Sequence, residues 1–464
     1  MISHDARRRL YTLVTCFIML VADIFPVYYV LHNIYNLGFR TQLYLRGHIF
    51  VMAFYTVVFL FLGNVFGGLT VGMRRRGEVM FSLLFTAVFS AVFFYLITAM
   101  LSYAFPNIVP LLLVLLLQIV VSCLWISLTT RIYQRIFKPY DVFLIYKGSS
   151  INNFVEKLAT RKDQFHVVGS ISADGDAEEI RRSIDRHDTV VLWDIPAVSR
   201  NKIFKYCYEN SKRIYSMPKI SDIILNGSRP IHLFDTPLLL TEGNPLQYEE
   251  RVIKRAFDII LSLLLIICTS PIMALTALAI KLSDGGPVFY KQIRCTKNSK
   301  RFFIYKFRSM IVDAEKSGVA ELAREGDPRI TPAGRIIRPF RIDELPQLFN
   351  VLKGDMSFVG PRPERPEFIE KYERTMPEFS YRMKVRAGIT GYAQLYGKYN
   401  TRPYDKLKLD LYYIEQFSIW LDVKLILLTC KILFTKESTE GVSESVTADN
   451  TNISGETESG GQSQ

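Results

Sequence analysis

Four long apolar runs fill the first part of the chain, at residues 10–30, 48–69, 79–104 and 108–128. Each is close to the ~20 residues that carry a helix across a bilayer, so the pattern predicts an N-terminal four-helix transmembrane bundle over residues 1–138. The first run holds Asp23 and Pro26 and lacks a small-residue cleavage site, which marks a retained helix rather than a signal peptide. Basic residues flank the runs in alternate loops: Arg7, Arg8 and Arg9, then Arg74, Arg75 and Arg76, then Arg131, Arg135 and Lys138. The other two loops hold Arg40 and Arg46 or no charge, so both ends of the bundle are expected on the cytoplasmic side. Asp23 suits a functional intramembrane acid and a place at the bundle interior or interface equally well, and no chemistry is assigned to it.

Beyond residue 139 the period changes. Short apolar runs at 142–146, 166–172, 189–193 and 213–218 alternate with polar helical stretches, the pattern of βαβ units around a parallel sheet, so residues 139–247 are read as an α/β Rossmann-like cytoplasmic domain. Its first βα turn contains Gly148 without the partners of a GxGxxG fingerprint, which leaves a dinucleotide no obvious seat. A fifth apolar run follows at 256–280, with Ser270 and Pro271 near its middle and Lys254, Arg255 and Lys281 at its two ends. A proline there is expected to break the helix, and basic residues at both ends favour one side of the membrane. Together they favour a re-entrant helix pair at 256–281 that dips into one leaflet, the alternative being a kinked transmembrane helix. The remainder to 436 is expected to fold as an α+β domain, and the tail 437–464, with six acids and no aromatic residue, to be disordered.

Composition agrees with a membrane setting: 49% of the 464 residues are hydrophobic and the mean hydropathy is +0.15, too apolar for an ordinary soluble enzyme. Fifty-seven Lys and Arg against 44 Asp and Glu suit attraction to anionic headgroups and diphosphates, and no nucleic-acid partner is expected. Six cysteines with no close pair argue against zinc and against a disulfide framework.

The densest chemistry lies at RIDELPQLFN, residues 341–350. Asp343 and Glu344 adjoin there, with arginines before them and a proline-started helix after them; Leu345, Leu348, Phe349 and Leu352 supply the apolar face of that helix. Paired acids in a basic setting suit metal-assisted phosphate chemistry; equally, Asp343 caps a helix and Glu344 pairs with Arg341 or Arg338. Ten residues on, KGDMSFVGPRPE (353–364) fixes Arg362 between Pro361 and Pro363 in a stiff turn. Upstream lie IYKFRSM (304–310) and GRIIRPFR (334–341), and downstream AGITGYAQLYG (387–397).

These blocks, in this order, resemble the bacterial sugar transferase domain of polyprenyl glycosylphosphotransferases over residues 254–434. The resemblance implies a catalytic domain at 248–436, a re-entrant membrane hairpin, and a CoA-binding-like middle module whose role is regulatory, structural or oligomer-forming. It implies transfer of a sugar-1-phosphate from a UDP-sugar to undecaprenyl phosphate at the cytoplasmic face of the bacterial inner membrane, with release of UMP, as the first step of exopolysaccharide, capsule or O-antigen synthesis. By the same resemblance Asp343 is the nucleophile and a metal contact, Glu344 a metal ligand or proton handler, and Mg2+ the cofactor. Arg338 and Arg362 correspond to phosphate-binding positions, and Lys306 and Arg308 add positive potential near the diphosphate or are simply part of a basic strand. Pro361, Pro363, Gly391 and Gln394 shape the substrate pocket, or the glycine marks a tight turn. One departure stands out: Cys295 and Thr296 follow Arg294 where the family commonly has a glycine. A homodimer is among the expected assemblies. Two competing readings are a non-catalytic membrane regulator and a glycosyltransferase that moves the sugar alone; no DXD motif supports the latter. The sugar is expected to be glucose, with galactose next.

Overall fold

The computed structural model describes residues 4–148, 151–243, 246–312, 327–397 and 401–433, and divides into two compact units, Met1–Met217 and Pro218–Gln464. The tail expected to be disordered lies outside the described residues.

In the first unit, α1 (His4–Val30), α2 (Leu45–Phe66), α3 (Arg76–Ser102) and α4 (Val109–Ile136) coincide with the four apolar runs and are long and apolar enough to cross a membrane. They pack through large apolar side chains such as Phe59, Phe94 and Ile126, while Phe17, Phe25, Leu113 and Leu124 face outward. That inverted exposure is what a lipid solvent permits. Ser82, Thr86, Ser90 and Thr98 lie buried along α3, where small residues let helices approach closely. Asp23 is in the bundle interior, and Gln118 donates to its backbone carbonyl at 2.9 Å and to the Tyr55 hydroxyl at 3.1 Å.

The sheet of this unit comprises β1 (Tyr140–Tyr146), β2 (Phe165–Ser172), β3 (Thr189–Trp193) and β4 (Arg213–Ser216), all parallel in the order β2-β1-β3-β4. Helices α5 (Ile151–Ala159), α6 (Ala177–Arg186) and α7 (Ala197–Glu209) connect the strands. Val142, Phe143, Leu144 and Ile145 of β1 are all buried because helices cover both faces of a parallel sheet. Tyr140 donates to Asp5 at 2.9 Å, and Arg161 and Gln164 donate to the Met73 carbonyl, so the sheet is bonded to the arginine-rich end of the bundle.

The second unit begins earlier than the sequence division at residue 247. Helix α8 (Ile220–Asn226) buries Ile223 in the C-terminal core, and a hairpin of β5 (Arg229–Leu233) and β6 (Thr236–Leu240) follows. Helix α9 (Tyr248–Asp284) is next, with Ile260, Leu263, Leu264, Ile267 and Leu275 exposed along one side and Leu261, Leu265, Met273 and Ile280 packed on the domain along the other. The chain stays helical through Pro271, where a break was expected. Proline leaves the Ile267 carbonyl without its amide donor, and the Ser270 hydroxyl donates to that carbonyl at 2.8 Å instead. The domain continues with antiparallel β7 (Phe289–Cys295) and β8 (Arg301–Phe307), α10 (Pro332–Ile337), α11 (Gln347–Lys353), β9 (Ser357–Val359), α12 (Pro366–Thr375), β10 (Gly388–Thr390, parallel to β9), α13 (Tyr392–Tyr396), α14 (Pro403–Glu415) and α15 (Ile419–Ile432).

Candidate active site

The acid pair sits on a 3-10 turn, Ile342–Glu344, between α10 and α11. Helix α10 starts cleanly because the Thr331 hydroxyl accepts from the Gly334 amide at 3.0 Å. The chain then reverses at Arg341, whose φ of 55° is left-handed, a conformation that costs a non-glycine residue about 1 kcal/mol. Ile342 and Leu345 turn into an apolar cluster with Met273, Ile280, Phe307 and Ile337, which pins the turn and leaves the two carboxylates between them partly exposed. Pro346 is the cap residue of α11 rather than its first helical residue, because the 3-10 turn already occupies the approach to the helix.

Long-range bonds bring basic groups to this turn. Asn350 of α11 accepts from the Tyr305 amide at 3.0 Å and donates to the Phe303 carbonyl at 2.8 Å, so it clamps β8 alongside. Lys306, next on that strand, thereby reaches Glu344 Oε1 at 3.1 Å. Arg341 lies 3.5 Å from Oε2 and Arg362 3.5 Å from Oε1. Burial alone would raise the Glu344 pKa, but Lys306, Arg362 and Arg341 outweigh it and hold this carboxyl well below the usual range. Asp343 differs: among the described residues it has no ion pair within 4 Å, and burial, followed by the neighbouring Glu344 charge, pushes it up to about 6. The pKa values of two adjacent carboxylates are thus pushed in opposite directions. Glu344 is a fixed anion that orders three cations, and Asp343 is an unpaired carboxylate of enhanced basicity.

Arg362 is held from behind. Strands β9 and β10 approach so closely that a Cβ on Gly391 would lie 2.1 Å from the Gly360 carbonyl oxygen, and one on Gly388 the same distance from the Gly360 amide. Gly391 is therefore required for space, and its extended backbone carries no strain. Pro361 and Pro363 are buried, and the Pro361 carbonyl accepts from Gly388 at 2.9 Å. The side chain of Gln394 accepts from Arg362 at 3.3 Å, and Arg382 donates to the Arg362 carbonyl at 3.0 Å. Gly391→Ala is expected to cost about 3 kcal/mol by overpacking. A thermal unfolding midpoint equal to the parent's would refute this account of the glycine contact.

The resulting cleft is lined by Arg294, Lys306, Glu344, Gln347, Arg362 and Pro363 among others. Arg294 of β7 has its pKa lowered to about 10, first by burial and then by the nearby Arg362 charge, and with Lys306 and Arg362 it gives the cleft three cationic side chains. Arg338 is partly buried at the end of α10 and its charge acts on Asp343. Arg308 is buried with its guanidinium against Gly286, on the far side of Phe307 from Lys306 along the chain. The site therefore unites Asp343, Glu344, Arg338, Lys306, Arg362, Pro363 and Gln394, and adds Arg294 and Asn350. Lys306 was visible in IYKFRSM beside Arg308, but nothing local distinguished the two. Thr296, at the departure from the family pattern, is buried; it donates to the Asp355 carbonyl at 2.8 Å and accepts from the Ala387 amide at 3.1 Å, so it tethers β7 to the segment before β10.

A cleft rich in fixed cations beside one unpaired carboxylate is suited to gripping a diphosphate and attacking it. Comparison with known proteins agrees with that chemistry. The bacterial sugar transferase family profile matches residues 249–436. The chain is 42% identical over 225 residues to a UDP-N-acetylgalactosamine-undecaprenyl-phosphate N-acetylgalactosaminephosphotransferase of Aeromonas hydrophila, covering 48% of this chain and 52% of that protein. It is 37% identical over 311 residues to an undecaprenyl-phosphate glucose phosphotransferase of Komagataeibacter xylinus, covering 62% and 58%. An uncharacterized sugar transferase of Bacillus subtilis is matched along 100% of its length at 38% identity, by 45% of this chain. The chain spans about half the length of the first two relatives. With a relative 38% identical and matched end to end, and the profile matching residues 249–436, the chain belongs to the bacterial sugar transferase family.

Proposed function

We propose that the protein transfers a sugar-1-phosphate from a UDP-sugar to undecaprenyl phosphate at the cytoplasmic face of the bacterial inner membrane, releasing UMP and initiating polysaccharide synthesis. The observation that carries this reading is the contrast between the two adjacent acids: Glu344 is bound to Lys306, Arg341 and Arg362, whereas Asp343 has no ion pair among the described residues and is raised to about 6. The names of the relatives supply the substrate classes.

In the first step an Asp343 oxygen attacks the phosphorus that carries the sugar, a phosphorus–oxygen bond to it forms, and the bond to the bridging oxygen breaks. UMP leaves with that oxygen and the electron pair, its charge met by Arg362, Lys306 and Arg294. In the second step a phosphate oxygen of the lipid attacks the same phosphorus. The bond to Asp343 breaks, the carboxylate is restored, and the polyprenyl diphosphate sugar departs. A pKa near 6 suits Asp343 to this, since it is ionised at neutral pH yet more basic than an ordinary aspartate. Asp343 is also the carboxylate available to Mg2+, because Glu344 is engaged by cations; a hard ion of this kind takes one or two carboxylates and completes its shell with phosphate oxygens. Bound there, magnesium would neutralise diphosphate charge.

The partners of α9 support placement in one leaflet. Arg255 reaches carbonyls at the end of α11, whereas Met273 and Ile280 pack with Leu345 just before its start. Helix α11 is only about 10 Å long, while a straight helix from residue 255 to 280 would measure about 37 Å, which favours a bend at Pro271 and a re-entrant course. Arg251→Cys and Leu282→Cys, in a background lacking the native cysteines, are expected to react with an impermeant thiol reagent from the cytoplasmic side alone. Reaction of residue 282 from the opposite side would establish a spanning helix.

The direct test is nucleotide release by the full chain in nanodiscs with magnesium, undecaprenyl phosphate and individual UDP-sugars. UMP is the expected product. UDP would mean that the sugar alone moves, and neither nucleotide with any sugar would favour a non-catalytic regulator.

A further inference from the structure

The start of α9 carries a polar stripe on the face turned towards the domain. Lys254 and Asp258 lie one turn apart and are 9% and 1% exposed, and Arg255 lies beside them. Their partners fall into two groups. Arg255 donates through Nη1 to the Val351 carbonyl at 2.6 Å and through Nη2 to the Leu352 carbonyl at 2.7 Å, gripping the final turn of the helix that begins just after the acid pair. Asp258 Oδ1 accepts from the Ser357 hydroxyl at 3.0 Å and from the Phe358 amide at 2.9 Å, and Lys254 donates to the Val359 carbonyl at 3.0 Å. These three residues form β9, whose continuation is the turn that carries Arg362.

The cost of burying Lys254 is met locally. Its ammonium pairs with Asp422 Oδ2 at 2.6 Å and donates to the Tyr413 hydroxyl at 3.2 Å, and that hydroxyl lies 2.8 Å from Asp422 Oδ1 and 3.1 Å from the Val359 carbonyl. A buried ion pair is a poor source of net stability but a good register device, because a shifted register would strand both charges. Membrane helices ordinarily meet a domain through apolar contacts, and this one uses directional bonds at the place where the two halves of the site meet.

We infer that Lys254, Arg255 and Asp258 are positioning residues: by bonding the acid-bearing helix and the Arg362-bearing strand to one membrane helix, they fix the 3.5 Å approach of Arg362 to Glu344 and hence the width of the diphosphate cleft. The inference rests on the phosphotransfer reading for its purpose, and its test is read by binding as well as by turnover. None of the three touches the substrate in this scheme. Their effect passes through Arg362.

The test is a double-mutant cycle on the full chain in nanodiscs, with inorganic pyrophosphate as the binding probe and UMP release followed in parallel. Asp258→Ala is expected to weaken pyrophosphate binding about tenfold in the parent and less than about twofold in an Arg362→Ala background, since coupled residues are non-additive. Asp258→Asn keeps the accepting oxygen and places its amide nitrogen where Oδ2 has no partner, so it should stay within about threefold of the parent. Ser357→Ala, which removes one of the two donors and disturbs folding least, should show part of the loss. Equal losses in both backgrounds, or no loss in any variant, would overturn the positioning role. A parent that binds pyrophosphate but releases no UMP would instead remove the phosphotransfer reading while leaving the coupling measurable.

Discussion

Asp343→Asn is expected to lower UMP release by at least about 10³-fold while the protein remains folded, because an amide cannot form the acyl-phosphate and the remaining contacts give only residual catalysis. The structure separates this loss from a folding defect. Asp343 is in no ion pair among the described residues, so the substitution strands no cation. Stability should move the other way. The folded-state pKa of about 6 lies above the ordinary aspartate value, so the ionised carboxylate is disfavoured by the fold; the stabilisation is complete only at acid pH and is lost as pH rises through 6. Replacing it with a neutral isostere should therefore raise stability at pH 7.5 by about 2 kcal/mol. With UDP-sugar and no lipid acceptor, the parent should release a single burst of UMP and the variant none. A variant that keeps a tenth of the parent's turnover would refute the nucleophile assignment, whatever its unfolding midpoint.

Much of this architecture was legible because it depends on local pattern. The four spans follow from run length, and the parallel sheet from apolar strands whose every residue is buried, such as Val142 to Ile145. The acid pair and the PRP turn stood out because proline and paired charge are rare local signals. What was not legible depends on contacts between distant segments. Lys306 reaches Glu344 only because Asn350 clamps β8, and nothing in the spacing of 306, 344 and 350 announces that geometry. Arg341 adopts a left-handed backbone that no local signal suggests, since the turn is forced by Ile342 and Leu345 seeking the same apolar cluster. Ser270 and Pro271 were read as a break, but the serine hydroxyl satisfies the carbonyl that the proline leaves without a donor, so the chain stays helical through the position where a bend is favoured. The attachment of α8 to the C-terminal core was hidden for a similar reason: most of the members of the core that holds Ile223 lie more than a hundred residues later.

Glu344→Gln should lower kcat/KM for the UDP-sugar by about 10²-fold and also shift its pH dependence, and the second effect is the more diagnostic. In the parent the acid limb should fall as pH drops through about 6, where Asp343 takes up a proton and ceases to be a nucleophile. Burial raises that pKa most, and the Glu344 charge next, while Lys306, Arg338 and Arg341 oppose both. Neutralising Glu344 removes one raising influence. It also releases Lys306 from its ion pair, so more of the lysine's field falls on Asp343. The acid limb should therefore move to lower pH. Stability should suffer less than after breaking a fully buried pair, because the Arg341 and Arg362 side chains are 37% and 44% exposed and water can solvate them once Glu344 is neutral. The loss in kcat/KM then reflects cations that no longer converge on the cleft, and should appear mainly as a raised KM. An acid limb that stays at the parent's midpoint, or moves up, would show that Asp343 is not the titrating group and that the two carboxylates do not divide the chemistry as their surroundings indicate.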